Sequence, residues 1–226
     1  MIKRDIYITL GVLIVTIIFF GISDIDKIIQ NNFYNFDTHL WILDSAEEPY
    51  RFIFYDGIKK LLILFAVFLV FTMVVFRKSS IVKEYRSGIL IVILACIFIP
   101  SSVGALKKYT NMPCPKAEKI YGGLYPETKV WETYIEESYK KDTSKCWPAG
   151  HASGGFALLS LFFLFKSRKN KILALIVACT IGWSMGIYKM LIGDHFFSHT
   201  VITMILAWLI ILILVFFIRN RSKNNG

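Results

Sequence analysis

The sequence contains no internal repeat and no low-complexity tract. These absences argue against a repeat protein and against a separate soluble domain, so we expect residues 1–226 to form a single domain. Cysteine is also scarce: of four residues, Cys96 and Cys179 fall inside apolar runs, where a thiol usually behaves as a small hydrophobe. Only Cys114 and Cys146 remain as candidates for another role.

Apolar sequence dominates what is present. Hydrophobic residues make up 55% of the chain and the mean hydropathy is +0.55, which is too apolar for a soluble domain of this size. The net charge of +10 could suggest nucleic acid, but Lys and Arg fall in short clusters between apolar runs, which is typical of membrane topology. We expect an integral protein of the lipid bilayer, with no nucleic-acid partner and no obligate protein partner.

Six apolar runs approach the length that a helix needs to cross a bilayer. They cover residues 6–22, 61–76, 88–106, 151–165, 172–192 and 199–219. The first run lacks a small-residue cleavage site and is interpreted as an anchor. Residues 130–141 have near-helical spacing and predict a short interfacial helix. The predicted fold class is all-α, a polytopic membrane bundle of six transmembrane helices with short interfacial helices on the outer side.

The connections between the runs alternate in charge. Both termini and the connections after the second and fourth runs are rich in Lys and Arg, with only Asp5 and Glu84 as acids. Under the positive-inside rule both termini are then cytoplasmic. The outer side receives a group of basic and imidazole side chains: Lys107, His151, Lys189, His195 and His199.

Residues 147–155, WPAGHASGG, stand where the chain enters the fourth apolar run. Pro148 is favoured in a first helical turn, and Ala149 and Gly150 leave backbone amides open to an anion at a helix N-terminus. His151 beside such amides suits phosphate chemistry. The alternative is an interfacial histidine that follows a Pro-Gly turn.

Lysines near span ends are usually interfacial anchors, and that alternative stays open for Lys107 and Lys189 taken singly. Read together with the histidines, they form a phosphate-binding group. Lys108 and Asp194 are possible accessory or orienting residues. Asp194 could orient an imidazole or cap the sixth helix.

Three motifs in this region, from Lys107 to Thr200, resemble those of the type 2 phosphatidic acid phosphatase superfamily of membrane lipid phosphatases. The family motifs are Lys-x6-Arg-Pro, Pro-Ser-Gly-His and Ser-Arg-x5-His-x3-Asp. The stretches here are Lys107-x6-Cys114-Pro115, Pro148-Ala149-Gly150-His151 and Tyr188-Lys189-x5-His195-x3-His199. The chain is most similar to a bacterial subgroup of lipid A phosphatases and phosphotransferases.

The chain departs from the family pattern at four positions. Cys114 and Lys189 replace two arginines, which would bind phosphate oxygens bidentately, whereas a lysine offers a point charge. Ala149 lacks the hydroxyl of the family's serine. His199 takes the place of the aspartate that would orient the nucleophile.

The resemblance implies a phosphohistidine mechanism without a cofactor or metal ion. His195 would attack phosphorus, His199 would hold its ring, and His151 would protonate the leaving oxygen. Lys107, Lys189 and the amides of Ala149 and Gly150 would bind the phosphate oxygens.

The resemblance further implies a lipid phosphate substrate, namely lipid A, undecaprenyl pyrophosphate or phosphatidylglycerol phosphate. It implies a multi-pass protein of the bacterial inner membrane with the active site facing the periplasm. The alternatives are a phosphotransferase with the same intermediate, a non-catalytic phospholipid binder, and a metal enzyme that uses the histidines with Asp194.

Cys114 and Cys146 flank the longest polar stretch and stand next to two motif segments. Both would face the periplasm, where disulfides persist, so we expect a disulfide between them. The alternative is two reduced thiols at the membrane interface.

Overall fold

The computed structural model describes residues 2–110, 112–132 and 146–224. Within these ranges the chain is mainly helical, and the only strands are the two-residue pair β1 (Tyr34–Asn35) and β2 (Leu40–Trp41), which is antiparallel. The interfacial helix predicted at 130–141 lies mostly outside the described residues.

Eight α-helices follow one another in the described part of the chain. They are α1 (Ile2–Ile22), α2 (Ile25–Gln30), α3 (Gly57–Val75), α4 (Ser80–Tyr109), α5 (Gly150–Ala157), α6 (Leu161–Leu164), α7 (Arg168–Leu191) and α8 (Phe197–Asn224). A π-helical turn, Phe52–Asp56, continues directly into α3, and a 3₁₀ turn, Leu158–Ser160, joins α5 to α6.

Among the described residues, five helical segments are long and apolar enough to cross a membrane. They are Ile2–Ile22, Phe52–Val75, Ser80–Tyr109, Arg168–Leu191 and Phe197–Arg221. The run predicted as the fourth span is apolar but shorter, Gly150–Leu164. The predicted all-α, polytopic bundle is therefore confirmed, whereas a sixth full-length span is not established.

The second and third spans begin earlier than the apolar runs suggested. The helical path of the second starts at Phe52, and α4 extends from Ser80 to Tyr109. Charged residues such as Lys59 and Lys60 do not end a helix, because a lysine stem can follow the helix surface while its ammonium reaches water. Hydropathy alone therefore does not locate the ends of these helices accurately.

The short helix α5 lies at the centre of the bundle and contacts α4, α7 and α8. Its Phe156 is fully buried among side chains that include Ile99 and Ile211. A Cβ on Gly155 would lie 2.7 Å from the Cα of Gly182 in α7, so only a pair of glycines lets these two backbones approach so closely. This packing holds the start of α5, and hence His151, in the middle of the bundle.

By contrast, α3 lies at the edge and packs mainly on α4. Its other faces expose large apolar side chains such as Leu64 and Phe68, as expected for a helix that faces lipid. The position of α3 depends on few protein contacts.

Candidate active site

The turn between α7 and α8 carries the two histidines of the third motif. Its backbone folds back on itself, because the Lys189 carbonyl accepts hydrogen bonds from the amides of both Asp194 (2.8 Å) and His195 (3.2 Å). Gly193 has φ +72°, and a Cβ there would lie 2.4 Å from the Trp41 ring of the β-hairpin. The turn thus needs glycine for its backbone conformation and for its contact with the hairpin.

His195 and His199 are in direct contact. Their Nδ1 atoms are 3.3 Å apart, and both side chains are buried, at 2% and 0% exposure. One Nδ1 must donate and the other accept, so the contact with His199 holds the orientation of the His195 ring. Among the described residues the other ring nitrogen of His195, Nε2, has no hydrogen-bond partner. When His195 Nδ1 donates to His199, Nε2 carries a lone pair that is available to an incoming group.

Burial lowers the pKa of His195 well below its ordinary value of 6.5, and the nearby His199 and Lys107 lower it further. A neutral imidazole is the form that can act as a nucleophile. The surroundings of His195 therefore favour its reactive form at neutral pH.

The start of α5 is tied to α8 beside these histidines. The Ala149 amide donates to the His199 carbonyl at 3.3 Å, and the Thr203 hydroxyl donates to the same carbonyl at 2.8 Å. The Ala149 amide thus already has a hydrogen-bond partner, and its contact with phosphate stays a prediction. The first-turn amides from Gly150 onward are the ones that a helix start leaves without helical partners.

His151 lies close to His195 and to a residue that the motifs do not contain. The two imidazole centroids are 6.0 Å apart, and His151 Nε2 lies 3.1 Å from the Tyr55 hydroxyl. The Tyr55 ring meets the His151 ring edge to face at 4.6 Å, and the Lys189 ammonium lies 4.7 Å from its centroid. Tyr55 thus contacts two predicted site residues at once.

Little in the sequence marks Tyr55 as a site residue. It lies in the π-helical turn before α3, one turn before Lys59, and tyrosines near a span end are common interfacial residues. Its contact with His151 joins residues 96 positions apart. Only the packing of α3 against the site reveals it.

Lys107 reaches the site from the last turn of α4. Its Nζ and Cε both lie 3.3 Å from the point where a Cβ on Gly150 would be. Thr110 anchors this helix end by donating to the Trp147 carbonyl at 2.8 Å. The neighbouring Lys108 is exposed, so only Lys107 is placed against the start of α5.

A disulfide connects the segments that follow α4 and precede α5. It joins Cys114 to Cys146, whose Cα atoms are 5.1 Å apart. The Cys146 amide also donates to the Met112 carbonyl at 3.3 Å. The bridge therefore holds the Lys107 end of α4 next to the His151 end of α5.

Asp194 holds lysines in place. Its carboxylate contacts Lys189 Nζ at 2.8 Å and Lys116 Nζ at 2.6 Å. Burial alone would raise the pKa of this carboxyl, but the two lysines more than offset burial and lower it. In the described part of the chain Asp194 hydrogen-bonds to no imidazole, and its role as an orienting residue stays a prediction. The contact between Lys116 and Asp194 was not predicted from the sequence.

A cavity of about 450 Å³ opens beside these residues, between α3, α4 and α5. Its polar wall contains Tyr55, Lys59, Lys107, Gly150 and His151. Its apolar wall is formed by side chains within the helices, including Leu62, Ile63, Ala66, Cys96 and Met185. The cavity thus joins a cationic, histidine-bearing end to an apolar end.

No three His, Cys, Asp or Glu side chains within residues 2–110, 112–132 and 146–224 are grouped closely enough to hold a metal ion. The cluster that the described residues do form combines imidazoles with lysines. Such a combination can bind a phosphate group and attack it.

Two comparisons relate the chain to known proteins. Residues 87–223 match the model of the PAP2 superfamily. Over 197 residues, 82% of each chain, the sequence is 26% identical to the lipid A 4'-phosphatase of Francisella tularensis subsp. novicida (strain U112). No solved structure matches the chain.

Proposed function

Because the chain belongs to the PAP2 superfamily, we propose that it is a membrane lipid phosphatase that works through a phosphohistidine on His195. The observation that carries the proposal is the pair of histidines at the start of α8. His199 engages Nδ1 of His195 at 3.3 Å, while the buried Nε2 has no partner among the described residues. A held, neutral imidazole with one free nitrogen is what an in-line attack on phosphorus requires.

In the first step, His195 Nε2 forms a bond to phosphorus as the bond from phosphorus to the leaving oxygen breaks. His151, in its protonated form, donates a proton to that oxygen. In the second step, water attacks phosphorus, His151 accepts a proton from the water, and the bond from nitrogen to phosphorus breaks. The products are inorganic phosphate and the dephosphorylated lipid, and both histidines return to their starting state.

The lysines supply the positive charge that the transferring phosphoryl group needs. Lys107 lies against Gly150, and Lys189 is held by Asp194. Both would contact the non-bridging phosphate oxygens, together with first-turn amides of α5. Asp194 and Lys116 would fix the position of Lys189 without touching substrate.

The cavity supports a lipid as the phosphate carrier. Its apolar wall, which includes Leu62 and Ala66, lies within membrane-spanning helices, and its polar wall contains Lys107 and His151. An acyl chain could lie along the first wall while its phosphate reaches the second. The relative's name favours lipid A as substrate; undecaprenyl pyrophosphate and phosphatidylglycerol phosphate are the other candidates.

We further propose that the protein lies in a bacterial inner membrane with both termini in the cytoplasm and the site facing the periplasm. The distribution of Lys and Arg supports this orientation, and so does the disulfide, which persists in an oxidising compartment.

Phosphate release from each of the three lipids, measured with purified protein in detergent, tests the function. Lipid A should release phosphate with the wild-type protein and not with His195→Ala, in the presence or absence of EDTA. Appearance of the phosphate on a second lipid would identify a phosphotransferase instead. Loss of activity with EDTA would favour the metal alternative, and binding without turnover would identify a non-catalytic binder.

A further inference from the structure

A second large cavity lies at the opposite end of the α3–α4 pair from the histidines. It has a volume of about 570 Å³ and occupies the groove between the last turns of α3 and the first turns of α4. Three basic residues line its mouth, namely Arg77, Lys78 and Arg86. The catalytic proposal uses none of them.

The wall below the mouth is apolar and is built by regular helix spacing. On α4, Val82, Arg86 and Leu90 follow one another at intervals of four residues and face the groove together. On α3, Val70 and Val74 line the other side. The cavity thus has a cationic opening and an apolar interior within two membrane-spanning helices.

No carboxylate is among the residues that line this groove. In the described ranges none of Arg77, Lys78 and Arg86 forms an ion pair, although Glu84 lies nearby in sequence. Glu84 instead pairs with Lys166. Three close cations without an anion repel one another, so the groove is electrostatically complementary to a negatively charged group.

We infer that this groove binds one anionic phospholipid from the leaflet opposite the active site. The lipid phosphate contacts Arg77 and Arg86, and an acyl chain lies along the wall formed by Val74 and Leu90. Topology alone explains basic residues at a membrane surface, but it does not explain an apolar cavity directly beneath them. Basic pockets between transmembrane helices are suited to acidic lipid headgroups.

The bound lipid would bridge α4, which packs on several other helices, and α3, which has few other partners. α3 packs mainly on α4 and is otherwise largely exposed. A lipid held by both helices therefore limits movement of α3. This inference does not depend on the phosphatase reaction, which takes place at the other membrane face.

Native mass spectrometry of the purified full-length protein tests the site. Phosphatidylglycerol and phosphatidylcholine with identical acyl chains are titrated separately, and the bound fraction is measured. We expect one phosphatidylglycerol to bind at least about tenfold more tightly than phosphatidylcholine. The variant Arg77→Gln/Arg86→Gln should weaken phosphatidylglycerol binding roughly tenfold or more. The control Arg168→Gln/Lys169→Gln removes two exposed charges at the start of α7 and should bind like wild type.

A second pair of variants keeps every charge. It therefore tests lipid binding in the groove even if the arginine variant does not fold. Val74→Trp fills the groove, whereas Val75→Trp places the same ring on the neighbouring exposed position outside it. The first should lose the bound lipid and the second should keep it. Equal binding by these two variants would overturn the inference, as would wild-type binding by the arginine variant. Full competition by free glycerol phosphate would likewise overturn it, because the acyl chain would then contribute nothing.

Discussion

The Nδ1 atoms of His195 and His199 lie 3.3 Å apart in the buried turn at the start of α8. The PAP2-type motif has a carboxylate where His199 stands, so the proposed nucleophile, His195, is held here by an imidazole ring. A neutral partner orients His195 without favouring its protonated form, which agrees with the lowered pKa of His195. The charge of the side chain at position 199 should therefore affect how activity depends on pH.

Replacing His199 by aspartate should preserve the contact but add a negative charge beside His195. An adjacent carboxylate favours the imidazolium and raises the pKa of His195. The protonated nucleophile is inactive, so the acidic limb of the kcat/KM profile should move to higher pH in His199→Asp. His199→Ala should lose about 10²-fold or more in kcat, because the ring is no longer oriented. Identical acidic limbs in wild type and His199→Asp would contradict this role.

Tyr55→Phe should lower kcat roughly tenfold with little change in KM. The variant keeps the ring beneath Lys189 and removes only the hydroxyl 3.1 Å from His151, and one hydrogen bond contributes about 1 kcal/mol. Steady-state kinetics on the preferred lipid measures the change. Tyr50→Phe removes a hydroxyl from a half-exposed residue of the same segment and serves as control. Equal kinetics for the two variants would show that Tyr55 does not act through His151.

Lys107→Gln and Lys108→Gln separate a site lysine from an interfacial one. Lys107 lies against Gly150, whereas Lys108 is exposed. Loss of one preorganised charge should cost about 10²-fold in kcat at position 107, while the change at 108 should stay within about twofold. Both rates come from the same phosphate-release assay. A large loss at 108 or none at 107 would place the phosphate elsewhere.

The motif histidines and Lys107 were predictable from sequence because they stand at the ends of apolar runs. Alternation of the spans then brings those ends to one membrane face. Tyr55 and Lys116 were not predictable, because their contacts with His151 and Asp194 depend on how distant segments pack. No local pattern marks such contacts.

The same distinction applies to the contacts of Ala149 and Asp194. Ala149 and Asp194 were interpreted from neighbouring residues in the chain, as an amide at a helix start and as a carboxylate next to a histidine. The structure gives each a different partner: the His199 carbonyl for Ala149, and two lysines for Asp194. Local motifs identify residues that lie in the same site. Their hydrogen-bond partners depend on how distant segments of the chain pack together.

The buried carboxyl group of Asp26 should make the free energy of unfolding depend on pH. Burial raises its pKa from 3.8 to about 6, although its Oδ1 accepts the Ser198 amide at 2.8 Å at the start of α8. Because the folded-state pKa is raised, the folded protein binds more protons than the unfolded chain between about pH 4 and 6. Asp26 therefore destabilises the fold progressively as pH rises through this window, by roughly 3 kcal/mol at most.

Asp26→Asn keeps an oxygen acceptor for Ser198 and removes the charge. Its thermal unfolding midpoint in detergent should equal that of wild type near pH 4 and exceed it increasingly up to about pH 6, then by a constant amount. Asp24→Asn, at an exposed position beside α2, should show no such trend. A difference between Asp26→Asn and wild type that is independent of pH would rule out titration of this carboxyl.

The proposed phosphohistidine mechanism is tested most directly by a search for phosphate on His195 during turnover. Wild-type protein is mixed with lipid labelled in its phosphate, quenched in alkali within milliseconds to seconds, digested, and analysed by mass spectrometry. We expect an acid-labile, alkali-stable phosphate on the peptide that contains His195, formed at a rate no slower than turnover and absent from His195→Ala. Full turnover without any labelled protein, or label retained by His195→Ala, would contradict the phosphohistidine mechanism.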